Sequence, residues 1–262
     1  MNRKLIYKTA ILSVVLIAIS FIAWAVRGKF LVHVKPSAKY KKDTKASPSI
    51  DPVLLAKYQA VFKKYDTIKK DITMSGTINI IDRADTSGNM KNVGFLFCKT
   101  GSDFYYKLGT TETINADGLY IFVDHLGHTI VVSPQKKVAY DVQPNAFADI
   151  GKEIRSDLYD VTGNNDGNLQ TISLHNEHNI NCKLFSISYD TATLAIRHMY
   201  ARMTNLQDPA RTDNEKLVDI NITEWNDRGD LDKFYKKDII ARANGTWKVT
   251  DKYKDYQLTT LQ

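Results

Sequence analysis

The sequence lacks the short motifs that mark common catalytic sites. It contains no zincin His-Glu-x-x-His, no Gly-x-Ser-x-Gly elbow, no phosphate-cradling glycine-rich loop and no Cys-x-x-Cys pair. Hydrophobic residues make up 43% of the chain and charged residues 25%, which excludes wholesale disorder and a polytopic membrane protein. We therefore predict a globular protein that is not an enzyme and uses no cofactor.

Positive charge is scarce in the part of the chain where a nucleic-acid-binding domain would need it. Residues 1–70 contain 15 Lys and Arg against 3 Asp and Glu, whereas residues 71–262 contain 21 against 26. A nucleic-acid binder carries its positive charge on the folded domain that makes the contacts. Nucleic acid is therefore not an expected partner, and the basic stretch is better placed to attract anionic lipid headgroups.

There is one long hydrophobic run, at the N-terminus. Residues 9–26 are 18 uncharged residues bounded by Lys8 and Arg27, and a helix of that length spans about 27 Å, just enough for a bilayer core. The alternative is a signal peptide cleaved after Ala23-Trp24-Ala25, but the bulky Trp24 and the missing polar region before it favour a retained anchor. Residues 1–26 are thus predicted to be a signal-anchor, or transmembrane, helix that contacts membrane lipid.

The charges that flank this run give a conflicting orientation signal. Three basic residues precede it and seven lie between Arg27 and Lys45, so a simple positive-inside count would keep the C-terminal part in the cytoplasm. The short N-terminal tail nevertheless resembles an export signal, and a structured domain can translocate despite flanking charge. We predict a single-pass protein with a basic tether, residues 27–50, and a domain, residues 51–262, in the periplasm or elsewhere outside the cytoplasm.

That domain is predicted to be α+β and mainly antiparallel β. Asp51-Pro52 is typical of a helix start, and apolar residues at helical spacing extend the helix to residue 65. Polar and apolar residues then alternate, and further helix is expected only at 145–159, followed by a loop at 162–168. The predicted strands are 72–80, 93–97, 104–108, 112–115, 119–124, 129–133, 138–142, 169–174, 182–189, 194–203 and 217–225, with a terminal hairpin or an extended tail around 244–249.

The order of these elements resembles the LolA/LolB lipoprotein-carrier superfamily over roughly residues 51–226. The resemblance rests on the hairpin of residues 114–124, where Asp117-Gly118 is followed by Tyr120, and on the turn at residues 189–193 before the strand at 219–222. It implies an incomplete β-barrel, or curved sheet, packed on two or three helices around an apolar cavity that accepts acyl chains. It does not assign ligand residues.

Four aromatic residues are the candidates for lining such a cavity: Phe104, Tyr106, Tyr120 and Phe122. Strand alternation places Phe104 with Tyr106, and Tyr120 with Phe122, on shared faces. Filling of the hydrophobic core is the alternative role for these side chains.

Histidines and cysteines supply the remaining candidates. His125 with His128, and His175 with His178, are His-x-x-His pairs in predicted turns, and they are weak candidates for metal ligands if the turns meet in space. Cys98 and Cys182 lie in or beside predicted strands, where they either form a disulfide or serve as small buried hydrophobic residues.

Two functions follow from these patterns. The first is a membrane-anchored binding module that holds an acyl chain or a lipoprotein. The second is a non-enzymatic component of a cell-envelope assembly that contacts other envelope proteins. A cavity lined by apolar side chains favours the first, whereas a filled interior with an exposed apolar patch favours the second.

Overall fold

The computed structural model describes residues 47–66, 71–136, 150–205, 208, 211–235, 237–243 and 245–261. The predicted anchor, most of the tether and the predicted strand at 138–142 lie outside these residues. None of the helices in the described ranges is both long and apolar enough to cross a membrane.

The helices and strands follow one another in a predominantly β order. They are α1 (Pro52–Asp66), β1 (Ile72–Asp82), β2 (Met90–Thr100), β3 (Asp103–Leu108), β4 (Thr111–Ala116), β5 (Leu119–Asp124), β6 (Thr129–Pro134), α2 (Ile150–Ser156), β7 (Asp160–Asp166), β8 (Leu169–His175), β9 (Cys182–Asp190), β10 (Ile196–Met203), β11 (Lys216–Asn226), α3 (Leu231–Phe234), β12 (Ile240–Ala243), β13 (Thr246–Val249) and β14 (Gln257–Thr260). The predicted sheet-rich fold with few helices is confirmed.

These residues form two compact units, each drawn from separate stretches of the chain. The helix unit contains the described residues among 47–66, 80–89 and 150–219, and the meander unit contains those among 71–79, 90–136 and 220–261. Strands β1 and β11 contribute residues to both units. The domain limits predicted from the sequence stay predictions.

In the helix unit the strand order is β11-β10-β9-β8-β7, and the pairs from β7 to β10 are antiparallel. Helix α1 begins as predicted, because the Asp51 carboxylate accepts a hydrogen bond from the Val53 amide at 2.8 Å. Its buried side chains are Leu55, Tyr58, Val61 and Phe62. The helix packs close to β7, where Gly163 leaves room for the side chain of Leu54.

Two predictions for this unit are wrong. Residues 162–168 were expected to form a loop because they are rich in Gly and Asn, but residues 160–166 form β7, whose backbone pairs with β8. Their exposed polar side chains suit a strand at the end of the sheet order. The second helix ends at Ser156 rather than near residue 159, because Leu158 adopts a positive φ of 56° and the Tyr159 amide bonds back to the Ile154 carbonyl, a Schellman cap.

In the meander unit the strand order is β14-β6-β5-β4-β3-β2-β1-β11, and the consecutive pairs from β2 to β6 are antiparallel. The predicted limits of β5 agree to the residue. The predicted terminal hairpin is present as β12 and β13. The sequence did not predict β14, which pairs with β6 in parallel, or the one-turn helix α3.

Candidate functional site

Strands β2 to β5 of the meander unit present two faces with different surroundings. Because side chains alternate along a strand, residues that pair across the ladder share a face. The covered face carries Cys98, Tyr105, Ile114 and Ile121, which are directly paired in register. The aromatic face carries Phe97, Phe104, Tyr106, Thr113, Asn115, Tyr120 and Phe122.

The covered face packs against the C-terminal segment, residues 231–256, of its own unit. Phe234 stacks on Tyr105 with ring centroids 6.0 Å apart, and Tyr235, Ile239 and Tyr253 join the same buried cluster. Burial of this face is therefore explained by contacts within the meander unit. Sequence analysis missed this cover because residues 231–239 show neither helical nor strand periodicity, although Phe234-Tyr235 and Ile239-Ile240 are apolar pairs that mark it.

The aromatic face brings the four predicted cavity residues together. Phe104 pairs with Asn115 and then Tyr120 in one cross-strand row, whereas Tyr106 pairs with Thr113 and then Phe122 in the next. Phe104, Tyr106 and Phe122 are buried and Tyr120 is half-buried. The Phe97 ring connects the two rows, with centroids 6.4 Å from Phe104 and 6.5 Å from Tyr106. Their role as ligand contacts stays a prediction.

Tyr106 differs from an ordinary core tyrosine. Its side chain is 1% exposed, and its hydroxyl has no hydrogen-bond partner among the described residues. Burial raises the pKa of this phenol, so it is a neutral donor at any physiological pH. The Thr113 hydroxyl opposite it is also buried, and burial raises the pKa of the neighbouring Tyr120 phenol while a hydrogen bond with Thr113 opposes that shift. Buried hydroxyls are nearly always paired. The Tyr58 hydroxyl of α1 is also buried without a partner among the described residues, but Tyr106 lies among the predicted cavity residues, so its row is the candidate site.

One end of the aromatic face is cationic. Lys99 is paired with Phe104 in register and is buried. Burial lowers the pKa of its ammonium group, while the charge of Asp71 opposes that shift. The ammonium group of Lys136 lies 3.7 Å from the centre of the Tyr120 ring, a cation–π contact. Asn115 holds Lys136 in place with two hydrogen bonds to its backbone, at 2.9 and 3.1 Å.

The first histidine pair belongs to a hydrogen-bonded cluster beside the covered face. His125 Nδ1 is 2.8 Å from the Tyr256 hydroxyl and its Nε2 is 3.0 Å from Glu112 Oε1. His128 stacks on the Tyr256 ring at 4.8 Å. Burial raises the pKa of Glu112, but hydrogen bonds from His125 and Lys107 outweigh it and hold this pKa below its ordinary value. The cluster thus ties the C-terminal segment to β4.

The second histidine pair, His175 and His178, makes a separate set of contacts. His175 Nε2 lies 2.8 Å from Glu177 Oε1, and the His178 amide donates to Asn176 Oδ1 at 3.0 Å. Arg202 also contacts Glu177 and lies 3.6 Å from Glu215 Oε2. Within the described ranges, no three His, Cys, Asp or Glu residues are grouped so as to hold a metal ion.

Both cysteines are free thiols and both are buried. The Cys98 sulfur lies on the covered face, 3.5 Å from the Thr73 hydroxyl. Burial raises the pKa of the Cys182 thiol to about 12, so it is not a nucleophile at neutral pH. The structure therefore contains them as small buried side chains rather than as the disulfide that the sequence also allowed.

Comparison with known proteins gives little further information. No protein-family model matches this sequence, and no curated protein matches it. An uncharacterized conserved protein from Thermus thermophilus is a similar solved structure, with 11% identity and a TM-score of 0.35 over 78% of this chain and 99% of that one. A putative outer membrane lipoprotein-sorting protein domain from Vibrio parahaemolyticus has 10% identity and a TM-score of 0.23 over 65% and 91%. These scores are too low to bear on the site.

Proposed function

We propose that this chain is a binding module that holds the acyl chain of a lipid or lipoprotein on the aromatic face of the meander unit. The observation that carries the proposal is the Tyr106 hydroxyl, which is buried in an aromatic row and has no partner among the described residues. A buried hydroxyl left unpaired costs about 1–3 kcal/mol. A ligand oxygen at this position would remove that cost.

The chemistry of the row fits such a ligand. Phe97, Phe104 and Phe122 supply apolar surface, and each methylene group of a ligand transferred onto it contributes about 0.8 kcal/mol. Polar groups beside these rings are few, as in most small-molecule sites: the Tyr106 and Thr113 hydroxyls lie in one row, and the two lysines lie at one end of the face. Because these side chains are shielded from water, a ligand that reaches Tyr106 is enclosed, which an acyl chain requires.

The proposal includes the membrane location predicted from the sequence. An anchor at residues 1–26 and a basic tether would hold the binding module near the bilayer from which an acyl chain is drawn. Alkaline phosphatase fused after Gln262 tests the orientation in the host, with a fluorescent cytoplasmic reporter fused at the same position as its control. Active phosphatase with a dark reporter supports the proposed side of the membrane, and the opposite pattern overturns it.

Photolabelling of the full chain tests the site itself. The protein is reconstituted in nanodiscs of defined phospholipid, illuminated with a palmitate that carries a diazirine in its chain, and digested for mass spectrometry. We expect labelled peptides from β2, β3 and β5, with modified side chains on the aromatic face and competition by unlabelled palmitate. Labelling confined to residues 1–46, or none that palmitate displaces, would reject acyl-chain binding and leave the envelope-interaction function.

A further inference from the structure

We infer that the ligand of the aromatic face is a single-chain amphiphile with a carboxylate headgroup, a long-chain fatty acid, which Lys99 and Lys136 hold by its head. This inference rests on the proposed function and adds the chemical class and the direction of the ligand. It follows from the order of the cross-strand rows rather than from any one residue.

The charge of the rows changes along the strands, from two lysines at the first row to a carboxylate at the third. The first row contains Lys99, Phe104, Asn115 and Tyr120, with the ammonium group of Lys136 over the Tyr120 ring. The second row contains Phe97, Tyr106, Thr113 and Phe122. The third contains the buried pair Phe95 and Leu108, followed by Thr111 and by Asp124, whose carboxylate accepts hydrogen bonds from the Leu126 and Gly127 amides. Successive rows are about 7 Å apart, since two residues separate them in each strand.

This gradient matches a ligand that has one charged end. A carboxylate at the first row would lie beside Lys136 at the β5 end, with the buried charge of Lys99 at the β2 end of the same row and the Tyr106 hydroxyl in the next row. The hydrocarbon chain would then run along Phe122 toward Phe95 and Leu108. A neutral or cationic head would leave the same tail contacts in place but lose the charge-assisted hydrogen bonds.

Side-chain hydrogen bonds to the neighbouring backbone fix the position of Lys136. It is the residue after Gln135, whose side chain bonds to the Gly118 amide at 2.9 Å and to Asp103 at 2.8 Å. Together with the two Asn115 bonds, these contacts fix the backbone that carries the ammonium group. Lys99, by contrast, is buried, and the charge of Asp71 already acts on its ammonium group.

Competition between ligands of equal chain length tests the inference. The photoreactive palmitate labels the full chain in nanodiscs while unlabelled palmitate, hexadecanol or hexadecylamine is added. We expect palmitate to displace the label from the aromatic-face peptides at about one-tenth of the concentration that hexadecanol requires, with hexadecylamine weaker again.

Variants then locate the headgroup. Lys136→Gln is at an exposed position and should lower the preference for palmitate over hexadecanol several-fold, without changing the hexadecanol concentration. Lys248→Gln, in the exposed β13, is the matched control and should leave the preference unchanged. Lys99→Gln removes a buried residue, so its folding is checked by circular dichroism before its preference is read.

The outcomes separate this inference from the proposed function. Equal displacement by all three ligands overturns the carboxylate assignment and leaves acyl-chain binding intact. A palmitate preference that survives both Lys136→Gln and a folded Lys99→Gln variant overturns the assignment to these lysines. Absence of displaceable labelling on the aromatic face rejects the proposed function and this inference with it.

Discussion

The two units bury their strands in different ways. In the helix unit β8 is one-sided: Gln170, Ile172 and Leu174 are buried, whereas the side chains between them are half-buried and polar. In the meander unit β3 buries successive residues, so that Phe104, Tyr105 and Tyr106 all lie within the interior. The difference shows that alternation of burial marks only strands with one packed face.

The two units differ in the contacts made by the second face of their strands. On the half-buried face of the helix unit, polar side chains pair with one another. Examples are the hydrogen bond between the Thr171 and Ser188 hydroxyls at 2.7 Å and the contact of His198 Nε2 with Asp219 Oδ1 at 3.3 Å. The covered face of the meander unit is satisfied by the apolar C-terminal segment. The helix unit should therefore be sensitive to loss of charge, and the meander unit to loss of apolar volume.

The largest effect is expected from breaking the buried ion pair of the helix unit. Lys183 Nζ lies 2.7 Å from Glu215 Oε1, and both side chains are 4% exposed. Glu215→Gln leaves the Lys183 ammonium group buried without a full counter-charge, which should lower the free energy of unfolding by about 3–5 kcal/mol. Urea unfolding of the full chain, followed by circular dichroism, measures the loss.

A nearby ion pair provides the control for that variant. Arg211 and Asp213 are 2.9 Å apart, but their side chains are 56% and 67% exposed. Asp213→Asn should therefore leave the free energy of unfolding nearly unchanged. If Glu215→Gln costs as little as Asp213→Asn, the helix unit does not depend on its buried charges and the contrast between the units is wrong.

Removing apolar volume from the C-terminal segment should lower the free energy of unfolding by a comparable but smaller amount. Ile239 is buried in the cluster on the covered face, and Ile239→Ala should cost about 2–5 kcal/mol. Hydrogen exchange should show faster exchange in β3, β4 and β5. Leu126→Ala, at a side chain that is 77% exposed, is the control and should stay within about 0.5 kcal/mol.

Local patterns predicted most of the strands, because period-two alternation and turn residues are encoded within a few positions. The β5 limits and the α1 cap are examples. The error at β7 has a physical cause: Gly163 and Asn164 are poor strand residues by themselves, but the backbone hydrogen bonds to β8 do not depend on side chains.

The candidate site was only half predictable for a similar reason. Alternation could place Phe104 with Tyr106 and Tyr120 with Phe122, but only the register of two ladders, β3–β4 and β4–β5, places all four on one face. The sequence pattern did not single out Lys99, Thr113 or Lys136, because their place in the site depends on which residues lie opposite them in other strands. The C-terminal cover, which distinguishes the two faces, comes from residues more than 100 positions away from β3 and β4.

A smaller effect concerns the pH dependence of the cluster that ties down this cover. The pKa of Glu112 is lowered in the folded protein, so its contribution to stability is present above its ordinary pKa and is lost as the pH falls through the lower, folded value. Glu112→Gln should cost roughly 1.5 kcal/mol at pH 7, the low end for a hydrogen bond to a charged group.

Unfolding measured between pH 7 and pH 3 tests this sign. The stability difference between the original protein and Glu112→Gln should shrink as the solution becomes acidic, because the protonated Glu112 loses its charge. Leu126→Ala, which changes no titratable group, should keep a constant difference over the same range. A Glu112→Gln difference that grows toward acid pH would mean that the pKa of Glu112 is raised rather than lowered.

The smallest expected effect compares the two faces of β3 directly, because the neighbouring residues Tyr105 and Tyr106 lie on opposite faces. Tyr105 lies on the covered face, where its hydroxyl bonds to Glu112, whereas Tyr106 lies on the aromatic face, where its hydroxyl has no partner in the described part of the chain. Tyr105→Phe should therefore lower the free energy of unfolding by about 1 kcal/mol, and Tyr106→Phe should raise it by up to about 1 kcal/mol in lipid-stripped protein. Thermal unfolding of the two variants, each with the same loss of one oxygen atom, measures the difference in sign. An equal loss in both would mean that the Tyr106 hydroxyl is satisfied when no ligand is present, and the aromatic face would then be ordinary core.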